Sequence, residues 1–374
     1  ALAGMTVEQK AAQLLVAGIE GTEPGEDAVQ AVQGYQVGGV ILFGRNVESA
    51  EQLAALTNGL KELNGDYTPL FLCVDQEGGR VDRMPPEVSR TPSAWRVGQA
   101  MARGTAGAEY GVLLAEECAA FGFNMDFAPS LDIWSNPDNT VIGDRAFGGD
   151  WEWVTDFGFR AVEAMAERGD VIPVVKHFPG HGDTAVDSHT ALPVVDKTLE
   201  DLWQSELVPF DMVLSGQFWG EPVMEPAPAV MVAHILLSQI DPDNPASLSP
   251  EVVTGLLREE MGYEGVVCTD DLTMGAISNT YGMGEAAVLA VEAGCDLLLV
   301  CHGADNLAAA HAALVEAVDS GCIPEERLDE SVYRVLSLKT VYGLSNAPVE
   351  APDIEALNDR IAALERSIEA DTSQ

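Results

Sequence analysis

Short apolar runs rich in β-branched residues recur along the chain, and they alternate with segments of helical periodicity. Strands of a parallel sheet are buried on both faces, so they read as nearly continuous apolar runs of this kind. The pattern predicts eight strands: LLVAG (14–18), VGGVILF (37–43), LFLCVD (70–75), FNMDFAP (123–129), VIPVVKHF (171–178), AVMVAHI (229–235), GVVCTD (265–270) and CDLLLVCH (295–302).

The segments between the strands carry helix signals. Thr6 and Gln9 have the spacing of a capping box. A second helix is predicted over 249–262, with Ser249 as its N-cap, and a third over 306–321. Eight apolar strands alternating with helices predict a (β/α)8 barrel of the TIM type, and a doubly wound open sheet is the alternative.

The barrel is predicted to span 1–345, followed by a C-terminal helix and tail over 346–374. The last helix places five apolar side chains on one face at 3-4-3-4 spacing: Ile354, Leu357, Ile361, Leu364 and Ile368. We expect this stripe to pack on the barrel, and a dimer contact is the alternative. A single-domain monomer is therefore expected.

The 374 residues include 19 basic and 60 acidic ones, for a net charge of -41. A field of this sign repels nucleic acid and anionic membrane surfaces, which favours a neutral small molecule or glycan as partner. No apolar run is long enough to span a membrane, and the start of the sequence lacks a signal-peptide pattern. A cytoplasmic location is expected, with an exported form as the alternative if the start has been processed.

The six cysteines are too few for a disulfide scaffold and favour a reducing compartment. The pattern leaves open one bridge among Cys295, Cys301 and Cys322.

In a (β/α)8 barrel the active site lies at the C-terminal ends of the strands. Six of the eight predicted strands end in ionisable side chains: Asp75, Asp126, Lys176 with His177, His234, Asp270 and His302. Some of these groups are expected to be hydrogen-bonded parts of the rim, but the set as a whole predicts a catalytic site.

The loop KHFPGHGDTAVDSH (176–189) holds three of the six histidines. His177 and His181 would share one face of a helix, as metal ligands often do, but Pro179 and the loop glycines oppose a helix. No bound metal is expected. Asp187 and His189 point the same way in an extended segment, so the carboxylate could orient the imidazole for proton transfer. A hydrogen bond that merely stabilises the loop is the alternative.

Asp270 and Asp271 end a strand and are equal candidates for a nucleophile. In VDQEGGRVDRM (74–84), Asp75, Arg80 and Arg83 could bind a polyol, although for Arg80 an ion pair within the loop is favoured. GDRAFGGD (143–150) adds Arg145 in a second glycine-rich loop.

Together these stretches resemble glycoside hydrolase family 3, in particular its single-domain β-N-acetylglucosaminidases. The matching segments, in family order, are VDQEGGRVDRM, FAPSLDI, GDRAFG, KHFPGHGDTAVDSH, MVAHI, PASLS and TDDLTM. The resemblance implies that Asp270 is the nucleophile, that His189 is the acid/base and that Asp187 is its partner. It also implies that N-acetylglucosamine is held by Asp75, Arg83, Arg145, Lys176 and His177.

The family mechanism is retaining and passes through a covalent glycosyl-enzyme without a cofactor. The implied activity is exo-cleavage of terminal β-linked N-acetylglucosamine from peptidoglycan fragments, as in peptidoglycan recycling, or from chitooligosaccharides. A β-N-acetylglucosaminide phosphorylase, with phosphate as the acceptor, is one alternative. A glycan-binding barrel without activity is the other.

Overall fold

The computed structural model describes residues 2–184, 188 and 192–372. Eight parallel strands close into a barrel, each inside or within one residue of its predicted run. The predicted (β/α)8 barrel is therefore confirmed, and the open sheet is wrong. The strands are β1 Leu15–Gly18, β2 Gly39–Ile41, β3 Phe71–Val74, β4 Met125–Asp126, β5 Ile172–Phe178, β6 Ala229–Val232, β7 Val266–Asp271 and β8 Leu297–Val300.

Pairing between β1 and β8 closes the barrel. Val16 of β1 pairs with Leu299 of β8 on one side and with Gly39 of β2 on the other. At Gly39 a Cβ atom would come within 2.8 Å of Phe71 on β3, so only glycine fits between these strands. Two small sheets lie outside the barrel, one joining Val194–Val195 to Leu236–Leu237 and one joining Gln217–Phe218 to Glu221–Pro222.

The helices follow the predicted alternation. They are Val7–Gln13, Glu26–Val29 with a π-helical continuation Gln30–Tyr35, Ala50–Asn64, Ala94–Val97, Arg103–Ala120, Trp151–Arg168, Leu199–Trp203, Leu207–Ser215, the π-helical Glu251–Glu260, Gly275–Ser278, Met283–Ala293, Ala304–Asp319, Glu325–Val341 and Ile354–Thr372. The capping box is present, since Thr6 Oγ1 accepts from Gln9 N at 3.3 Å and Gln9 Oε1 accepts from Thr6 N at 3.1 Å. Ser249 Oγ likewise accepts from Val252 N at 3.3 Å.

Apolar side chains fill the barrel interior and the layer between strands and helices. Alternate strand residues point inward, so Val16, Phe71 and Met125 pack inside while their strand neighbours face the helices. All six cysteines have free thiols. No bridge therefore joins the three cysteines that the sequence left open.

The C-terminal helix Ile354–Thr372 packs against the barrel helix Arg103–Ala120. Leu357, Ile361 and Leu364 of its apolar stripe are buried against the barrel. The stripe is thus covered within the chain itself.

A buried lysine lies near the N-terminal ends of the barrel strands. Lys339 Nζ donates to Gln13 Oε1 at 3.0 Å and to the carbonyl of Gly38 at 2.8 Å, and it lies 4.7 Å from the centre of the Phe71 ring. Burial lowers the pKa of Lys339 to about 7.

None of the helices in the described part of the chain has the length and apolar character needed to cross a membrane.

Candidate active site

A cavity of about 220 Å³ opens at the C-terminal ends of the barrel strands. All five residues predicted to bind substrate line it, together with the candidate nucleophile: Asp75, Arg83, Arg145, Lys176, His177 and Asp270. Four of the six polar strand ends predicted from the sequence, those of β3, β5, β7 and β8, therefore meet at this cavity, as the barrel geometry requires.

Lys176 lies at the centre of the polar wall of the cavity. Its side chain is only 1% exposed, and its Nζ contacts Asp75 Oδ1 at 2.6 Å and Glu77 Oε1 at 2.5 Å. Burial alone would lower the pKa of Lys176, but the two carboxylates outweigh this effect and raise it. Lys176 is therefore a fixed cation.

Glu77 joins this lysine to the neighbouring arginine. Its carboxylate accepts from Arg145 Nε and Nη2, both at 2.8 Å, in a bidentate pair. Burial would raise the pKa of Glu77, but the charges of Arg145 and Lys176 hold it well below its usual range. The cluster thus holds two cations and two carboxylates, those of Glu77 and Asp75.

His177 is oriented from behind by a buried carboxylate. Asp132 Oδ2 lies 2.6 Å from His177 Nδ1, and Asp132 Oδ1 accepts from the backbone N–H of His181 at 2.7 Å. Although burial opposes ionisation, the adjacent imidazole of His177 and these hydrogen bonds hold the pKa of Asp132 at about 2. An ionised Asp132 accepts the Nδ1 proton, which fixes the direction of the ring.

The two adjacent aspartates of β7 have different surroundings. Asp271 accepts from Thr273 N at 2.9 Å, from Thr273 Oγ1 at 2.5 Å and from Cys301 N at 3.1 Å. Asp270 accepts only from Asp271 N, at 2.8 Å, among the hydrogen bonds that the described residues form. Asp271 therefore holds the loop, while the carboxylate of Asp270 is left open to the cavity.

The protonation state of Asp270 follows from its neighbours. Burial would raise its pKa, but the nearby imidazoles of His234 and His177 and the N–H of Asp271 lower it. Asp270 is accordingly an ionised carboxylate at neutral pH.

Two of the predicted strand-end residues lie outside the cavity lining. His234 is fully buried; its Nε2 donates to the carbonyl of Asp271 at 3.0 Å and its Nδ1 lies 2.6 Å from Ser247 Oγ. Asp126 is also fully buried and accepts from Gln76 N at 2.9 Å. Both support the backbone of the site from behind.

The two arginines of VDQEGGRVDRM have different contacts. Arg80 donates to the carbonyls of Thr140 and Ile142 and pairs with Asp144 at 2.9 Å, so it anchors a loop as the sequence favoured. Arg83 lines the cavity, and its Nε is a buried donor that no described group accepts from. A buried donor without an acceptor is costly unless a ligand supplies one.

The loop after β5 returns to the cavity at Ser188. Ser188 lines the cavity, and its carbonyl accepts from Ala276 N at 3.0 Å. The start of the loop is fixed at Gly182, where a Cβ atom would overlap the carbonyl oxygen of Ile133. The predicted acid–base pair, Asp187 and His189, lies outside the described residues.

Glu77 and Asp132 were missed as site residues at the sequence level. Both stand inside motifs that were singled out, Glu77 in VDQEGGRVDRM and Asp132 in FAPSLDI. For Glu77 the available signal was its position beside two glycines just after a strand, whereas FAPSLDI offered no such signal for Asp132. The partners of Glu77 lie 68 and 99 positions further along the chain, so no local pattern indicates the pairing.

Comparison with known proteins supports one family. The glycosyl hydrolase family 3 N-terminal domain matches residues 6–338. β-Hexosaminidase A of Pseudoalteromonas piscicida is 34% identical over 85% of this chain, which spans 56% of that relative's length. β-Hexosaminidase of Alkalilimnicola ehrlichii is 38% identical over 77% of the chain and 80% of its own length.

Solved structures agree. A family 3 β-N-acetylglucosaminidase from Paenibacillus sp. superposes with a TM-score of 0.90 at 41% identity, covering 97% of this chain and 69% of that one. A β-N-acetylhexosaminidase from Beutenbergia cavernae gives a TM-score of 0.80 at 30% identity, covering 90% and 99%. With its barrel, its strand-end site and these relatives, the chain belongs to glycosyl hydrolase family 3.

Proposed function

We propose that this protein is an exo-acting, retaining β-N-acetylglucosaminidase that removes terminal, non-reducing β-linked N-acetylglucosamine from glycans. One observation carries the proposal: the ionised, open carboxylate of Asp270 shares a cavity with the polar cluster around Lys176. The names of the relatives, β-hexosaminidases and β-N-acetylglucosaminidases, agree with it.

The cavity suits one terminal sugar unit. Its volume of about 220 Å³ is smaller than the roughly 300–1,000 Å³ typical of pockets for drug-sized ligands. A compact pocket that ends at the barrel core admits the end of a glycan and not its middle. This favours exo-action.

The polar cluster has hydrogen-bonding capacity left for sugar hydroxyls. Lys176 can donate three hydrogen bonds and uses two, to Asp75 and Glu77. Asp75 uses Oδ1 for that contact, so its Oδ2 is available as an acceptor. Arg83 lines the same cavity and adds a guanidinium to it. These groups would hold the sugar with its anomeric carbon at Asp270.

In the proposed mechanism, the Asp270 carboxylate attacks the anomeric carbon as the glycosidic bond breaks, giving a covalent glycosyl-enzyme. His189 gives a proton to the leaving oxygen and later takes one from the water that attacks the anomeric carbon and displaces the Asp270 carboxylate, while Asp187 orients its ring. These two roles rest on the family resemblance. Ser188, directly between them in sequence, lines the cavity and so supports the placement of this segment at the site.

The test follows p-nitrophenyl β-N-acetylglucosaminide by ¹H NMR at early times. A retaining hydrolase releases the β-anomer of N-acetylglucosamine first, and α-anomer as the first product would contradict the mechanism. Repeating the reaction in phosphate buffer separates the alternative, because a phosphorylase releases N-acetylglucosamine 1-phosphate and a hydrolase does not.

Asp270→Asn tests the nucleophile. We expect kcat to fall by about 10³-fold or more, since the variant cannot form the ester. A trapped glycosyl-enzyme formed with a 5-fluoro-N-acetylglucosaminyl substrate should carry its added mass on the peptide that contains Asp270. Full turnover by the variant, or the label on another peptide, would refute the assignment.

A further inference from the structure

An aromatic surface lies on the rim of the cavity, apart from the polar cluster. Phe43 follows β2 and His302 follows β8, and both line the cavity that contains Asp270. Their rings are inclined by only 20° with centres 5.8 Å apart, which is an offset stack. An offset pair presents a longer flat surface than either ring alone.

The surface is fixed by Arg45. This guanidinium lies 4.7 Å from the centre of the Phe43 ring and donates to the carbonyls of Cys301, at 2.8 Å, and Ile19, at 3.2 Å. The contacts connect the ends of β1, β2 and β8. The His302 side chain nevertheless remains 55% exposed, so the stacked pair is still accessible.

The position of this surface relative to Asp270 indicates what it contacts. The polar cluster comes from the ends of β3, β4 and β5, whereas Asp270 ends β7, the neighbour of β8 in the barrel. Asp270 and His302 line the same cavity and come from neighbouring strands, so a leaving-group sugar bonded to an anomeric carbon at Asp270 lies within reach of His302.

We propose that Phe43 and His302 form the subsite for the leaving-group sugar and favour a neutral β-linked pyranose there. The inference rests on the proposed glycosidase function and adds the class of the second sugar. A β-linked N-acetylglucosamine carries its substituents equatorially, so the C–H groups of its ring form an apolar face that packs against aromatic rings.

Charge selects against an acidic sugar at this position. Asp271 Oδ2 lies 4.0 Å from His302 Nε2, and the chain carries a net charge of -41. The cations here are largely neutralised, since Arg45 pairs with Glu20 at 3.4 Å and the cavity residues Lys176 and Arg145 pair with Asp75 and Glu77. A carboxylate-bearing leaving group would meet like charge here, and a second N-acetylglucosamine would not.

The experiment compares two substrates that share the N-acetylglucosaminyl unit. Diacetylchitobiose has a sugar as its leaving group, and N-acetylglucosaminyl fluoride has a single atom. For His302→Ala we expect the fall in kcat/KM on the disaccharide to be about three to ten times larger than the fall on the fluoride. This is the size of effect expected when one aromatic contact is lost. His302→Phe should restore most of the difference, because it keeps the flat surface.

The control is Tyr333→Ala, which removes an exposed aromatic side chain (66% exposed) from a helix surface outside the cavity lining. It should leave the ratio of the two kcat/KM values unchanged. Equal losses on both substrates for His302→Ala would overturn the leaving-group subsite while the glycosidase function stands. If the wild-type protein cleaves neither substrate, the proposed function fails and the subsite with it.

Discussion

Replacing Glu77 by glutamine is the sharpest test of the polar cluster. In the native protein two carboxylates, Glu77 and Asp75, balance the charges of Lys176 and Arg145. The substitution leaves this buried group with one excess positive charge. It also places an amide N–H₂ group against a neighbouring cation, because both carboxylate oxygens of the native Glu77 accept hydrogen bonds from cations.

The expected cost follows from the burial of the partners. Glu77 is 3% exposed, Lys176 1% and Arg145 14%, so water screens little of the change. Removing one member of a buried ion pair costs about 3–5 kcal/mol, and we expect the free energy of unfolding of Glu77→Gln to fall by that amount. Urea unfolding followed by tryptophan fluorescence at pH 7 measures it.

A matched control removes an exposed ion pair. Arg168 pairs with Asp170 at 2.7 Å, and the Asp170 side chain is 40% exposed, so Asp170→Asn should cost less than about 1 kcal/mol. If Glu77→Gln loses no more stability than Asp170→Asn, the cluster does not stabilise the fold as argued.

The same reasoning fixes a pH dependence. The folded-state pKa of Glu77 is depressed below its ordinary value of 4.5, so its contribution is fully present above that pH and is lost as the pH falls towards the folded-state value. Wild-type stability should therefore fall more steeply than that of Glu77→Gln below pH 4.5. Parallel pH profiles would contradict the assignment.

Three further predictions concern other parts of the molecule. On the p-nitrophenyl substrate, the fold-loss of kcat should be at least about 100 times smaller for Asp271→Asn than for Asp270→Asn, because the Asp271 carboxylate binds Thr273 and Cys301 and not the substrate. Equal losses for the two variants would refute these separate roles. Lys339 has a folded-state pKa of about 7 against 10.5 in the unfolded chain, so between these pH values only the unfolded state keeps the proton. The free energy of unfolding of the wild type, measured in urea relative to Lys339→Met, should therefore rise from pH 7 to pH 10. A constant difference between the two proteins would contradict this prediction. With a net charge of -41, the melting temperature should rise between 0.1 M and 1 M NaCl, as the screening length falls from about 10 Å to about 3 Å; a melting temperature that stays level or falls would rule out self-repulsion as a significant cost.

The strands were predictable because local signals agree with the fold. Each strand is an apolar run, and six of the eight runs have a polar end that faces the cavity or supports it, so Asp75, Lys176 and Asp270 could be placed at one end of the barrel from the sequence alone. The family resemblance was needed to choose Asp270 over Asp271. In the structure, hydrogen bonds from Thr273 and Cys301 occupy the carboxylate of Asp271, which agrees with the proposed choice.

Long-range pairing was not predictable. Asp132 and His177 are 45 positions apart in the sequence, and Glu77 and Arg145 are 68 positions apart. Neither contact could therefore be predicted from periodicity or local spacing. Asp126 is one of the strand-end groups that act as hydrogen-bonded support, which was expected for some members of the set. It ends β4 as expected, yet its carboxylate binds the backbone of Gln76 and not the cavity.

The closure of the barrel has a consequence for synthesis on the ribosome. Leu15 of β1 has its partner, Leu298 of β8, 283 positions later, so the first strand emerges long before the surface it must join. Until then β1 exposes unpaired backbone groups along one edge, as β7 also does. A chain that stops before β8 should therefore aggregate, whereas a permuted chain that begins in another surface loop could bring these two strands together early.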